Sequence, residues 1–297
     1  MTTSAAVLCQ DFGMAAATSR PGSHGTLITV APTGAEHAKA DVPNLPVSLA
    51  ELVSTARDCE RVGAAMIHVH IRDDAALPTL DLGRLRDTVA ALREQTGLII
   101  QLSTGGSVTD PEEDRLRALD ALPDSASCTM GTVNFGNDVF LNRWEFIVEL
   151  HKRMAERGIV PEYEIFDIGQ LATLRRLLDE HGPPASGHVH VDLVMGVPGG
   201  MPGDAETLVA AVRALPAGAT FSATGIGRTT IPVMLASLAA GGHLRVGMED
   251  TTSYARGERV RDNAQLVARA SGLARIAQRP PLPADEVREL LGVTFRN

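Results

Sequence analysis

The chain has 297 residues, 44% of them hydrophobic, and a formal net charge of −9. That is enough apolar material for a large core, whether one α/β barrel of about 250 residues or two domains. The acidic balance argues against nucleic acid as a main partner, because phosphate binding calls for a basic surface. No apolar run reaches the ~20 residues needed to cross a bilayer.

Residues 1–24 are rich in Ala, Ser, Gly and Thr, with little periodicity and no basic segment before an apolar core. They read as a flexible N-terminal extension rather than a secretion signal. Cys9, Cys59 and Cys128 form no CxxC pair and read as free thiols of a reducing compartment, so a cytoplasmic protein is expected. From residue 25 onward one domain is expected, because short apolar runs alternate with longer amphipathic ones and no composition break intervenes. Strands are predicted at 26–31, 65–71, 98–103, 126–130, 160–166, 188–194, 219–223 and 243–248. Helices are predicted between and after them, near 49–62, 81–95, 112–121, 142–157, 168–181, 204–214, 229–240 and 260–277. The first helix carries a capping box, Ser48 with Glu51 three residues on, and Gly63 follows where a C-terminal glycine stops a helix. Asp167 or Gly169 opens the fifth helix, and Pro232 fits only the first turn of the seventh. Eight strand–helix units in series point to a (β/α)₈ TIM barrel, although a doubly wound sheet also alternates in this way.

A barrel gathers function at the carboxyl ends of its strands. In AMIHVHIR (65–72), alternation sends His68 and His70 to one face, which is a common beginning of a divalent metal site. A pair of core histidines bonded to backbone carbonyls has the same sequence. Glu249, just past strand 243–248, is the best third ligand, and a solvent-facing Glu249–Asp250 pair is the plainer alternative. The second pair, His188 and His190, lies farther from its strand end; His190 is expected to reach the pocket and His188 to be structural. Arg245 and Glu164 interrupt apolar strands, so each needs a partner or a site, and they suit one another. Ser103, Thr104 and Gly105 end the third strand, and Glu162, Glu164 and Asp167 the fifth. The glycine-rich GVPGGMPG (196–203) and GIGR (225–228) match neither a P-loop nor a dinucleotide fingerprint, leaving Arg228 as at most an anion contact. Only Lys39 and Lys152 occur, neither in an apolar strand, which argues against a Schiff-base aldolase. An amidohydrolase is disfavoured for want of a suitable lysine.

Several stretches together resemble the β-keto acid cleavage enzymes, and among them the 3-keto-5-aminohexanoate cleavage enzymes. They are TGAEHAKADVPNLPVS (33–48), GAAMIHVHIRDD (63–74), IIQLSTGG (99–106), GTVNFGNDVF (131–140), PEYEIFD (161–167), GVPGGMPG, GIGR, GGHLRVGMED (241–250) and NAQLVAR (263–269). The resemblance implies a zinc-dependent barrel that turns a β-keto acid and acetyl-CoA into acetoacetate and a new acyl-CoA. At matching positions it implies His68, His70 and Glu249 as metal ligands and Ser103, Glu164, Arg245 and Asp250 as catalytic residues. Substrate binding would involve Glu36, Ser103, Thr104, Gly105, Ser127 and Arg245. Ser127 stands where a threonine occurs in the family, with Thr129 and Thr132 as nearby hydroxyls. Glu36 matches a position that meets a substrate ammonium, so the expected substrate is cationic: 5-amino-3-oxohexanoate first, dehydrocarnitine second. A homo-oligomer, a tetramer for instance, is also implied. The alternative reading is a metal-dependent C–C lyase or hydrolase that works without CoA; a non-catalytic binding barrel is a third.

Overall fold

A computed structural model describes residues 24–296; Cys9 and all of the expected N-terminal extension except residue 24 lie outside them. Eight parallel strands close a barrel: β1 (Ile28–Val30), β2 (Met66–Val69), β3 (Ile99–Leu102), β4 (Ser125–Thr129), β5 (Val160–Ile165), β6 (His190–Met195), β7 (Thr220–Gly225) and β8 (His243–Val246). They are joined in sequence order, and β8 pairs with β1 through Ile28↔Leu244 and Val30↔Val246. Every predicted strand position is occupied. The barrel, rather than the open sheet, follows from that last pairing.

The helices follow from spacing and caps. Helix α1 (Leu49–Arg61) buries Leu52, Ala56 and Cys59 on one stripe, and its capping box is formed. Gly63, at φ 113°, turns the chain into β2. Helices α2 (Leu82–Gln95), α3 (Glu112–Arg117), α4 (Trp144–Arg157), α5 (Gln170–His181), α6 (Ala205–Arg213), α7 (Thr230–Ala239) and α8 (Asn263–Ile276) complete the outer ring. Gly169 takes the N-cap position of α5, and Pro232 sits in the first turn of α7. The helix expected over 112–121 is two pieces, because Ala118–Ala121 tightens into a 3₁₀ turn that ends at Leu122 in the left-handed region.

Four elements were not anticipated. Helix α9 (Ala284–Leu291) closes the amino-terminal end of the barrel, packing Val287 and Leu291 on Leu27, Met66, Ile99 and Val160. Three hairpins stand on the opposite rim, pairing Ile71–Arg72 with Pro78–Thr79, Val133–Phe135 with Asp138–Phe140, and Ser253–Ala255 with Glu258–Arg259. Above the apolar plug the strands turn polar side chains inward, among them His68, Gln101, Ser125, Glu162, Glu164, His190, Asp192, Ser222, Thr224 and Arg245, all buried. Among the described residues no helix is long and apolar enough to cross a membrane.

Candidate active site

A cavity of about 530 Å³ opens at the carboxyl ends of the strands. Its floor holds His68, His70, Glu164, Arg245, Glu249 and Asp250; Ser103 and Gly105 line one side, and Glu36 and His37 the mouth.

His68 and His70 come from the end of β2, as alternation required. Glu249 arrives from the turn after β8, across the β8–β1 seam. Two glycines make that approach possible. A Cβ on Gly247 would lie 1.8 Å from the Ala31 carbonyl oxygen, so only glycine lets the turn close on β1. Gly34, at φ 63°, would place a Cβ 2.6 Å from Glu249 Cγ. Both imidazole Nε2 atoms face Glu249 Oε1, at 3.8 Å from His68 and 3.7 Å from His70. The three donors lie within 4.8 Å of one another, and Glu249 Oε2 is buried with no hydrogen-bond partner. Burial, with the charge of Arg245 behind it, lowers His68 to about 4 and keeps it neutral with a free lone pair. Burial lowers His70 as well. Burial works against the charge on Glu249, but the Arg245 guanidinium beside it outweighs burial and holds the carboxyl at about 2. Two neutral imidazoles and an ionised carboxylate with an open oxygen are a donor set that could hold a divalent metal ion.

Arg245 organises the other half of the floor. Its guanidinium donates to Asp250 Oδ1 at 3.0 Å, to Glu164 Oε1 at 3.3 Å and to Glu249 Oε1. Asp192 Oδ2 lies 3.9 Å away and accepts from Thr224. Burial pushes Asp250 up to about 7 against the pull of Arg245. Glu164 is raised to about 7 for the same reason, while Thr129 donates to its Oε2. Asp250 Oδ2 is buried and unpartnered. A carboxyl that titrates near neutrality beside a fixed cation is suited to exchanging a proton with a ligand.

Other expected residues lie elsewhere. Thr104 and Ser127 do not line the cavity; they bond to each other behind its wall, Thr104 N to Ser127 Oγ at 3.2 Å and Thr104 Oγ1 to Ser127 O at 2.9 Å. His190 does not reach the pocket. It lies one layer deeper, bonded to Thr220 at 2.8 Å and Ser222 at 3.1 Å, with Glu162 Oε2 3.4 Å away. Glu162 is likewise inside the barrel rather than on its rim. Burial alone would raise it, but the His190 imidazole beside it, and after that Arg245, hold it below the ordinary carboxylate value. Asp167 is exposed and accepts from Gly169 N in the turn before α5. Arg228 is exposed on a neighbouring groove formed by the 196–203 loop.

The sequence reading gave no role to the apolar wall. Phe135, Phe140 and Phe166 meet edge to face at 6.0–6.5 Å and line the cavity with Val108, Val194, Val197 and Ile226. Two of these rings ride on the 133–140 hairpin. Arg115 anchors its far end, donating to Thr104 O and Leu141 O and lying over the Phe140 ring at 4.8 Å. The signal was present in Phe-Gly-Asn-Asp (135–138), a two-residue turn between β-forming residues.

Comparisons with known proteins bear on the family and the fold. The family model described as beta-keto acid cleavage enzyme matches residues 26–293. A 3-keto-5-aminohexanoate cleavage enzyme of Acetoanaerobium sticklandii is 35% identical over 274 residues, covering 90% of this chain and 98% of that protein. A 3-oxoadipate:acetyl-CoA acetyltransferase of Cupriavidus necator is 32% identical over 271 residues, 90% of this chain and 94% of its own length. The solved apo structure of ObcA has the same fold at 19% identity, with a TM-score of 0.74 over 85% of this chain and 66% of that one. The match runs from the first strand to the helix that plugs the barrel floor, and the chain belongs to the beta-keto acid cleavage enzyme family.

Proposed function

We propose that this protein is a zinc-dependent transferase that condenses a β-keto acid with acetyl-CoA and splits the adduct into acetoacetate and a new acyl-CoA. The observation that carries the reading is the joint placement of His68, His70 and Glu249 beside Asp250 and Arg245 on one cavity floor. The names of the relatives support the substrate classes: one is a 3-keto acid cleavage enzyme and another uses acetyl-CoA.

His68, His70 and Glu249 would hold the zinc, which supplies Lewis acidity toward the ketone and carboxylate oxygens of a bound keto acid. Asp250, held by Arg245, accepts the proton from the carbon between the two carbonyls. Arg245 offsets the negative charge that develops there, and Glu164 keeps its guanidinium aimed at the floor. The resulting enolate carbon attacks the acetyl carbonyl, forming a carbon–carbon bond and expelling CoA thiolate. The Ser103 hydroxyl, on the cavity wall, donates to the oxyanion of that addition. The thiolate then attacks the original ketone carbon. The bond between that carbon and the former enolate carbon breaks, leaving an acyl-CoA and acetoacetate that takes its proton back from Asp250. Thr104 and Ser127 act as the support of the Ser103–Gly105 loop.

Glu36 stands exposed at the mouth and favours a keto acid with a positive charge on its far end: 5-amino-3-oxohexanoate, or dehydrocarnitine as its trimethylammonium counterpart. The test is a panel of cationic, neutral and anionic keto acids assayed with acetyl-CoA on zinc-loaded protein, with CoA esters identified by mass spectrometry. Cationic substrates should lead, and Glu36→Ala should erase that lead. Asp250→Asn should lower turnover by at least ~100-fold, the scale of a lost acid–base group, while zinc stays bound. Cleavage without acetyl-CoA would instead identify a lyase or hydrolase.

A further inference from the structure

Behind His68, one layer beneath the floor, runs a chain of buried polar groups that the proposed reaction does not use. His68 Nδ1 lies 2.6 Å from Gln101 Oε1. The amide nitrogen of Gln101 donates to Glu162 Oε1 at 3.1 Å and to Ser125 Oγ at 3.2 Å. Glu162 is in turn 3.4 Å from His190, which Thr220 and Ser222 hold. His68, Gln101, Glu162 and His190 are each at most 2% exposed, so no solvent competes for these bonds. Register fixes the geometry: His68 pairs with Gln101 across β2 and β3, and His190 with Glu162 across β5 and β6.

The polarity of this chain is determined from its far end. A carboxylate has no proton to give, so Glu162 accepts, and the Gln101 amide must turn its NH₂ toward it. The Gln101 oxygen is then left facing His68, and only a protonated Nδ1 satisfies it. A neutral imidazole with its proton on Nδ1 carries its lone pair on Nε2, the atom that faces Glu249. We infer that Gln101, oriented by Glu162, is a positioning residue that locks His68 into the one tautomer able to bind metal. A histidine ligand that donates its second N–H to an outer partner is a recurrent device, and losing the partner typically weakens metal binding by roughly 10–100-fold. Here the partner is an amide, whose direction a third group has to set.

This inference rests on the metal reading of the site, and its test separates the two. The first measurement is nitrogen NMR of metal-free wild-type protein labelled at histidine, with His68 assigned by its loss in His68→Ala. The expected result is a proton on Nδ1 of His68. The second is zinc affinity by chelator competition for wild type, Gln101→Met and Glu162→Gln. Gln101→Met should bind zinc roughly 10–100-fold more weakly. Glu162→Gln, which frees the amide to turn either way, should lose less and give a mixture of His68 tautomers. A proton on Nε2 in the wild type overturns the inference, as does a folded Gln101→Met protein with wild-type affinity. If Gln101→Met fails to fold, the wild-type tautomer and Glu162→Gln still decide. Wild-type protein that binds no zinc refutes the metal reading instead, a different outcome from zinc binding indifferent to Gln101.

Discussion

Gly34 shows how a missing side chain can hold a ligand in place. Its φ of 63° costs a non-glycine residue about 1–2 kcal/mol, and a Cβ there would press on Glu249 Cγ at 2.6 Å. Gly34→Ala should therefore do two separable things: lower the unfolding free energy by about that amount, and push the Glu249 carboxylate off the two imidazoles. Zinc affinity should fall while the circular dichroism spectrum stays unchanged; equal zinc affinity in wild type and variant would show that Glu249 is not a ligand. The roles of single residues were unevenly legible in the sequence. His68 and His70 could be read because alternation alone puts them on one face, and Arg245 because a charge in an apolar strand demands a partner. Gln101 was passed over, although it interrupts the run Leu-Ile-Ile-Gln-Leu as plainly as Arg245 does its own. An uncharged amide carries a smaller burial penalty, so it raises no alarm until a neighbouring strand shows what it touches.

At the scale of elements, strands and long helices were readable because their periodicity is repeated several times, whereas α9 and the three rim hairpins offered only a few residues each. Helix α9 also follows a proline-rich stretch (Arg-Pro-Pro-Leu-Pro), and its apolar stripe makes sense only against the floor of a closed barrel. Helix α1 was fully legible, and its start carries a test. Glu51 accepts from Lys39 at 2.7 Å and from the backbone N–H groups of Ser48 and Val47 at 3.0 Å. The Lys39 hydrogen bond, then those two N–H groups, hold its carboxyl at about 2 against an ordinary 4.5. A depressed acid stabilises the fold fully above its unfolded value and loses that contribution as pH falls through its folded value. Glu51→Ala should thus cost about 1 kcal/mol at neutral pH, a cap-sized effect with the exposed ion pair adding little. The gap from wild type should hold constant above pH 5 and shrink between about 4.5 and 2. Urea titrations at pH 7 and pH 3 check this; an undiminished gap at pH 3 would mean that the carboxylate charge is not what caps the helix.

The whole molecule carries a concentration of charge that its core does not explain. Glu164, Asp192, Glu249 and Asp250 converge on one guanidinium inside the barrel, with Glu162 buried one layer deeper beside His190. A buried charge is tolerated when it is paired, and one arginine leaves these carboxyls under-compensated, which is why burial drives Glu164 and Asp250 toward neutrality. A divalent cation among His68, His70 and Glu249 would offset that excess and bind the folded state alone, because the three ligands meet only when β8 closes on β1. Folding and metal binding must then be linked. With free zinc about a thousandfold above its dissociation constant, the linkage is worth about 4 kcal/mol. At about 2–4 °C per kcal/mol for a domain of this size, the thermal midpoint should rise by on the order of 10 °C over chelated protein. Calorimetry of the metal-free and zinc-loaded forms measures it, with His68→Ala as the control that should show almost no difference between the two. Coincident transitions in the wild type would mean that the barrel tolerates its buried carboxylates unaided, and the case for a resident metal would fail with them.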